Sequence, residues 1–184
     1  MKTYKTYIRA ILPLFVVLGL VGSAQAQVEA TATASADIAT ALTLTKTADI
    51  NFGTVSATTP GVVKLDPTDV TASTNVGSSR TLGEFTVTAA VSDDIDLTFD
   101  SQVTLTDASS NTLILLAEVA GGETSGGTFT SLGSTGTATF TTSSSGGYVL
   151  RVGGVLSQST TPANLEAVPT GSYSGTFNAE IIYN

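Results

Sequence analysis

"GSYSGTFNAEIIYN", residues 171–184, alternates between apolar and polar side chains. In an extended chain, successive side chains point to opposite faces, so this spacing buries one face and exposes the other. We therefore predict a C-terminal strand with one face in the core of a sheet. Its core-facing residues are Tyr173, Phe177, Ala179, Ile181 and Tyr183.

The same period of two recurs along most of the chain. It is clearest in "LGEFTVTAAV" (82–91), "DDIDLTFD" (93–100) and "TATFTT" (137–142), and segments rich in Gly, Ser and Asn separate such runs. About ten short strands with little helix predict an all-β antiparallel sandwich. In "SADIATALTL" (35–44) an amphipathic helix is the alternative, but a strict parity that continues through Leu42 and Leu44 favours a strand.

The first residues have the pattern of a bacterial signal peptide. A basic start precedes the apolar run "AILPLFVVLGLVG" (10–22) and the small residues "AQA" (24–26). A retained membrane anchor is the alternative, but Pro13 and the lack of a charged flank disfavour it. We predict cleavage after Ala26 and no membrane insertion of the mature protein.

Three segments follow from this pattern. They are a signal peptide (1–26), an alternating N-terminal segment (27–46) and a β-sandwich domain (47–184). Cleavage leaves four basic residues against fifteen acidic ones. Such a chain repels nucleic acid and anionic lipid, so neither is an expected partner.

The composition offers little for catalysis. The sequence has no His and no Cys, which excludes imidazole bases, thiol nucleophiles and disulfides. It also has no Trp, and no nucleophile elbow, P-loop or dinucleotide motif. We therefore predict that the protein is not an enzyme and uses no cofactor.

One acidic cluster is a weak candidate for a Ca²⁺ site. Asp94, Asp96 and Asp100 share a face of "SDDIDLTFD" (92–100), and carboxylate oxygens suit hard cations. Their spacing does not match an EF-hand loop. The alternative, which we favour, is that these acids form the solvated face of a strand.

A second alternating segment opens the mature chain. In "QVEATATASADI" (27–38) one face carries small apolar residues, which are Val28, Ala30, Ala32, Ala34, Ala36 and Ile38. Such a segment either pairs within its own sheet as an edge strand or adds to the sheet of a neighbouring molecule. The sequence leaves both alternatives open.

Two motifs carry a family resemblance. "DINFGTV" (49–55) resembles the opening strand of spore-coat-U-type subunits of archaic chaperone–usher pili. "GTFNAEIIYN" (175–184), with Tyr183 next to last, is similar to the C-terminal strand of chaperone–usher pilins. The whole mature chain also resembles a secreted bacterial family known only as a domain of unknown function, in which a start like "LTKTADINFG" (44–53) and a finish like "GSYSGTFNAEIIYN" (171–184) enclose a middle rich in Gly and Thr.

The pilin resemblance implies an incomplete immunoglobulin-like, pilin-like sandwich. A periplasmic chaperone would supply the missing strand until the N-terminal segment of the next subunit replaced it, with the six residues from Val28 to Ile38 as donors. The expected protein is a non-enzymatic structural or adhesive subunit of a fimbrium, in the periplasm or at the bacterial cell surface. Its expected partners are further copies of itself, or a chaperone and an usher. The alternative is a monomeric secreted binding module that recognises a glycan or protein through its loops, above all residues 121–136.

Overall fold

The computed structural model describes residues 32–36, 38, 40–58, 60–161, 163, 165 and 168–184. The predicted signal peptide and two predicted donor residues, Val28 and Ala30, lie outside the described residues. Residues 38–184 form one compact unit. Residues 32–36 belong to the other unit and have no regular secondary structure.

The described residues are almost entirely strand, with one short 3-10 helix at Val70–Ala72. The strands are β1 (Thr43–Ala48), β2 (Val63–Leu65), β3 (Gly83–Thr88), β4 (Asp94–Phe99), β5 (Gln102–Thr106), β6 (Thr112–Gly122), β7 (Thr130–Gly133), β8 (Thr137–Thr141), β9 (Gly147–Ser157) and β10 (Ala179–Tyr183). All pairings are antiparallel and fall into two sheets. The predicted all-β sandwich is confirmed.

The larger sheet has the order β1-β3-β9-β6-β5, with β2 beside β9 and β7 beside β6. Its two central strands, β6 and β9, are 11 residues long each and pair along most of their length. The smaller sheet contains three strands in the order β10-β4-β8. It is therefore too narrow to cover the whole inner face of the larger sheet.

The core has two large parts along β6 and β9, besides a small cluster of Ala120, Phe129 and Val149. Under the smaller sheet, the alternation predicted for β4 is confirmed, because Ile95, Leu97 and Phe99 are buried while Asp94 is exposed. The other part lies under chain that is not in regular strands. Its buried residues are Phe52, Val63, Leu65, Val103, Leu113, Leu115, Ala117, Leu156 and Leu165.

The C-terminal run passes from one sheet to the other. Ser174 and Thr106 exchange two backbone hydrogen bonds, which places residue 174 on the outer edge of β5. Further along, β10 pairs with β4 from Ala179 opposite Phe99 to Tyr183 opposite Ile95. A strand that changes sheets in this way forms a corner of the sandwich.

One glycine permits the close packing of β9 against β6. Gly154 has φ +133°, a conformation that L side chains rarely adopt, and a Cβ atom there would lie 2.1 Å from the carbonyl oxygen of Leu116. Gly133 has a similar φ of +111°, but its Cβ would meet nothing within 4 Å. An alanine at either position would therefore strain the backbone, but only an alanine at position 154 would also clash with Leu116.

We predict that Gly154→Ala lowers the free energy of unfolding by about 3–5 kcal/mol, because it adds backbone strain to an overpacked contact between strands. Gly133→Ala is the matched control and should cost about 1–2 kcal/mol, since it adds the strain alone. Urea unfolding of both variants measures the difference. Equal losses would show that the contact with Leu116 does not limit the packing.

Candidate functional site

Among the described residues, strand β10 pairs with another strand, β4, on one side only. The carbonyl of Asn178 accepts the amide of Asp100 at 3.0 Å, and the amide of Asn184 donates to the carbonyl of Asp94 at 3.1 Å. Backbone groups of successive residues point to alternate sides of an antiparallel strand, so the even-numbered residues face β4. The residues whose amides and carbonyls point away from β4 are Ala179, Ile181 and Tyr183.

Strand β1 is likewise an edge strand of the larger sheet. Ala89 donates its amide to Gly146 at 2.8 Å, so the odd-numbered residues next to it in β3 face β9 and the even-numbered ones face β1. Thr88 is even-numbered and pairs with Thr43. The backbone of Thr43 therefore faces β3, and that of the next residue, Leu44, faces outward.

Half-buried apolar side chains accompany these two edges and the neighbouring strand β3. All of them pack against the buried residues beneath the smaller sheet, yet none is fully covered. The ring of Phe177 lies 6.1 Å from that of Phe85 and 6.3 Å from that of Phe99, centroid to centroid. We call this strip, with the outer edges of β1 and β10, the seam. Its side chains are Leu42, Leu44, Phe85, Phe177, Ala179, Ile181 and Tyr183.

One tyrosine closes the seam at one end. The Tyr183 hydroxyl donates to the carbonyl of Thr40 at 2.7 Å and accepts the amide of Ala90 at 2.9 Å. The full length of the phenol side chain separates the backbone of β10 from that of residue 40. The last strand and the chain just before the first strand are thus bridged by a side chain rather than by backbone pairing.

At its other end the seam opens into a cleft of about 920 Å³. The floor consists of apolar residues of β5, β6 and β9, which are Val103, Leu105, Leu113, Leu115 and Leu156. Residues 46–57 and 168–177 form much of the rest of the lining, together with Phe85 and Leu165. Lys46 and Asp49 are the charged residues of the lining, and their Nζ and Oδ1 atoms lie 2.6 Å apart as an exposed ion pair. The exposed lining of the cleft thus combines apolar and polar surface in similar amounts.

The structure places the three candidate calcium ligands on or just after β4. Asp94 accepts the hydroxyl of Thr141 at 2.6 Å, and Asp96 that of Thr139 at 2.8 Å. Asp100 accepts the backbone and side-chain nitrogens of Asn178, both at 2.8 Å. Each carboxylate thus has a separate partner. In the part of the chain that the structure describes, no group of three His, Cys, Asp or Glu side chains could hold a metal ion.

The predicted donor residues are only partly within the described chain. Ala32, Ala34 and Ala36 lie in no strand, and Ile38 is 96% exposed. Strand β1 runs across the boundary that the sequence predicted between residues 46 and 47. Sequence reasoning did not identify the cleft, because its walls and floor come from distant segments without a common motif.

The five predicted core residues of the C-terminal strand are half-buried rather than fully buried. Tyr173 and Phe177 pack against the buried residues beside the cleft. Phe177 and the three odd-numbered residues of β10 pack against those beneath the smaller sheet. No helix in the described residues is long and apolar enough to cross a membrane.

Removal of the hydroxyl of Tyr183 should destabilise the protein. We expect Tyr183→Phe to lower the free energy of unfolding by about 1–3 kcal/mol, because a partly buried amide loses its acceptor. Tyr173→Phe is the matched control, since that hydroxyl donates to Pro169 in an exposed contact at 2.9 Å; it should cost less than about 1 kcal/mol. Thermal and urea unfolding give both values, and equal losses would contradict the closing role of Tyr183.

Comparison with known families gives a match over most of the sandwich. A family model described as Domain of unknown function (DUF4402) matches residues 42–183, one residue before the start of β1 to the last residue of β10. The matched region thus contains both sheets, both edges of the seam and the cleft. Comparison with curated proteins gives no match. The chain belongs to the DUF4402 family of domains of unknown function.

Proposed function

We propose that this protein is a non-enzymatic, secreted, structural or adhesive subunit that assembles into a fimbrium by strand addition at the seam. The observation that supports this proposal is the pair of edge strands, β1 and β10, with outward-facing backbone groups beside half-buried apolar side chains. An incoming strand would meet amides and carbonyls on its flanks and apolar side chains beneath it. This is the arrangement that strand addition requires.

Two contributions to the binding free energy would favour a strand bound in the seam. On β10 alone, Ala179, Ile181 and Tyr183 offer amides and carbonyls, and each backbone hydrogen bond contributes about 0.5–1.5 kcal/mol net. Covering the half-buried side chains adds about 25 cal/mol per Å² of apolar surface removed from water. An uncovered edge of this kind is also a site of uncontrolled aggregation, so natural proteins protect such edges.

The N-terminal segment supports a second copy of the chain as the partner. The alternating face from Val28 to Ile38 has the period of a strand, and the residues between its apolar members are polar. The resemblance to chaperone–usher pilins adds that a periplasmic chaperone would occupy the seam first and an usher would guide assembly. The signal-peptide pattern agrees with a protein of the periplasm or the cell surface.

The loop containing residues 121–136 gives weaker support to the alternative, a binding module. Residues 130–133 of this loop form β7, paired with β6. Phe129 is buried with Ala120 and Val149, and the guanidinium of Arg151 lies 3.8 Å from the centre of its ring. Arg151 also donates to the carbonyl of Ser125. Because these contacts occupy part of the loop, fewer of its side chains and backbone groups can contact a ligand.

A charge placed on either face of the donor segment tests the proposal. Mature protein (27–184) is unfolded, refolded at high concentration and analysed by light scattering and by gels run without boiling. We expect ladders of oligomers, and we expect Ala34→Asp to abolish them, because a carboxylate would be buried in the seam without a partner. Thr33→Asp is the matched control: it adds the same charge one residue away, on the solvent face, and should leave the ladders intact.

Deletion of residues 27–38 should also abolish the ladders. A single monomeric species whose behaviour does not change on this deletion would contradict strand addition. Equal effects of the two aspartate variants would contradict the assignment of the donor face.

A further inference from the structure

We infer that the outer edge of β8 is a second contact surface of this protein, at which β8 of another copy pairs antiparallel with it about a two-fold axis. The smaller sheets of the two copies then form one continuous sheet. This contact goes beyond the proposed strand addition, because it involves neither the seam nor the N-terminal segment. Its basis is the unpaired backbone, the uncharged sequence and the self-complementary side chains of β8.

Strand β8 lies at the opposite edge of the smaller sheet from β10, and among the described residues it pairs with β4 alone. The amide of Thr142 donates to the carbonyl of Asp93 at 2.9 Å, and the carbonyl of Gly136 accepts the amide of Phe99 at 2.8 Å. Because successive backbone groups of an antiparallel strand point to alternate sides, the even-numbered residues of β8 face β4. The residues whose amides and carbonyls point outward are Thr137, Thr139 and Thr141.

Other strand edges of this protein are covered or interrupted. Ser174 bonds to the outer edge of β5, and Thr74 exchanges two backbone hydrogen bonds with Lys64 on the outer edge of β2. The register of β1 shifts between Lys46 and Ala48. Natural sheets protect their edges in these ways, with covering chain, bulges and charges. In contrast, β8 has the uncharged sequence TATFT, and its pairing with β4 is continuous.

Acidic side chains lie one strand further in and leave the edge itself uncharged. Asp96 accepts the hydroxyl of Thr139, and Asp94 accepts that of Thr141. In the joined sheet, Asp96 of one copy and Asp96 of the other would be three strand spacings apart, about 14 Å. This distance exceeds the Debye length of about 8 Å at physiological ionic strength, so the repulsion between these acids is largely screened.

The order of side chains in β8 suits pairing with itself. In a two-fold pairing centred on Thr139, Thr137 lies opposite Thr141 of the other copy, and each outward-facing residue exchanges two backbone hydrogen bonds with its opposite residue. On the inner face, the large ring of Phe140 lies opposite the small side chain of Ala138. A register shifted by two residues would place two residues of each strand opposite chain outside β8. The centred register is therefore the most complete one.

The size of this contact indicates how it would be used. A pair of five-residue strands buries little area, so the contact between two separate monomers should be weak. In the fimbrium that we propose, many subunits would present this edge at once, and multivalency would raise the effective affinity. The β8 edge would then join fimbriae side by side. This consequence, unlike the contact itself, rests on the proposed assembly.

Cross-linking tests the two-fold contact, because the natural chain has no cysteine. Natively purified mature protein carries Ala34→Asp, to block strand addition at the seam, and Thr139→Cys. A short bis-maleimide is added at high protein concentration. We expect a covalent dimer, since residue 139 meets its own copy at the axis. Thr98→Cys in the same background is the matched control, since Thr98 is exposed on the same sheet but on β4, and it should give none.

Two further variants test the register. Thr137→Cys alone should not cross-link, because the two copies of residue 137 lie four residues apart along the strands, about 14 Å. A mixture of Thr137→Cys and Thr141→Cys should cross-link. A dimer from Thr137→Cys alone, without one from Thr139→Cys, would overturn the centred register. Failure of all pairs would contradict the β8 contact, while ladders from refolded protein without these substitutions would still support strand addition at the seam.

A charge at the axis tests the contact by affinity. Thr139→Lys places like charges directly opposite each other, so we expect the dissociation constant of the dimer to rise by about 5-fold or more. Thr98→Lys adds the same charge one strand further in and should change it by less than about 2-fold. Sedimentation measures both constants, and circular dichroism confirms that each variant is folded. An unchanged constant for Thr139→Lys, or equal effects of the two variants, would show that the β8 edge is not the contact.

Discussion

A β-strand at the edge of a sheet directs half of its backbone amides and carbonyls away from its single neighbour, and β1 and β10 are two such strands in this protein. Strands β1 and β10 belong to different sheets, so neither satisfies the other. In the described residues, the hydrogen bond of the Tyr183 hydroxyl to Thr40 joins β10 to the chain just before β1. The unpaired groups are costly where half-buried side chains keep water from reaching them freely. The other features of the site follow from this constraint.

The rest of the fold keeps these two edges in place without a disulfide. Strands β6 and β9 form a long central pair, and Gly154 allows them to approach closely at a position where a side chain would collide with Leu116. The smaller sheet covers only part of the inner face. The remaining core is covered by chain without regular strands, and the cleft lies there. A narrow sheet over a broad one thus produces both the seam and the cleft.

The chemistry of this surface supports the attachment role that we propose. The cleft combines apolar and polar surface, and its exposed charged residues, Lys46 and Asp49, are paired with each other. In the strand addition that we propose, an alanine-rich donor face would bury little area, so backbone hydrogen bonds would supply most of the affinity. The separately bonded carboxylates of β4 fit the solvated face of a sheet.

Much of the fold could be predicted from the sequence because side-chain parity is a local property with a period of two. The alternation of Ile95, Leu97 and Phe99 with acids places β4 in a sheet before any contact is known, and the C-terminal strand follows in the same way. Parity also placed Leu42 and Leu44 on one face. It did not show that β1 crosses the boundary predicted at residue 46, because a period of two continues across a change of neighbour.

The sequence by itself therefore determined the fold class, the core-facing side of the main strands and the lack of imidazole and thiol chemistry. Only the tertiary structure decided which edges are unpaired, where the seam closes and where it deepens into a cleft. The reason is that strand pairing joins residues far apart in the chain. Thr40 and Tyr183 meet across 143 positions, and no pattern of short period encodes that distance.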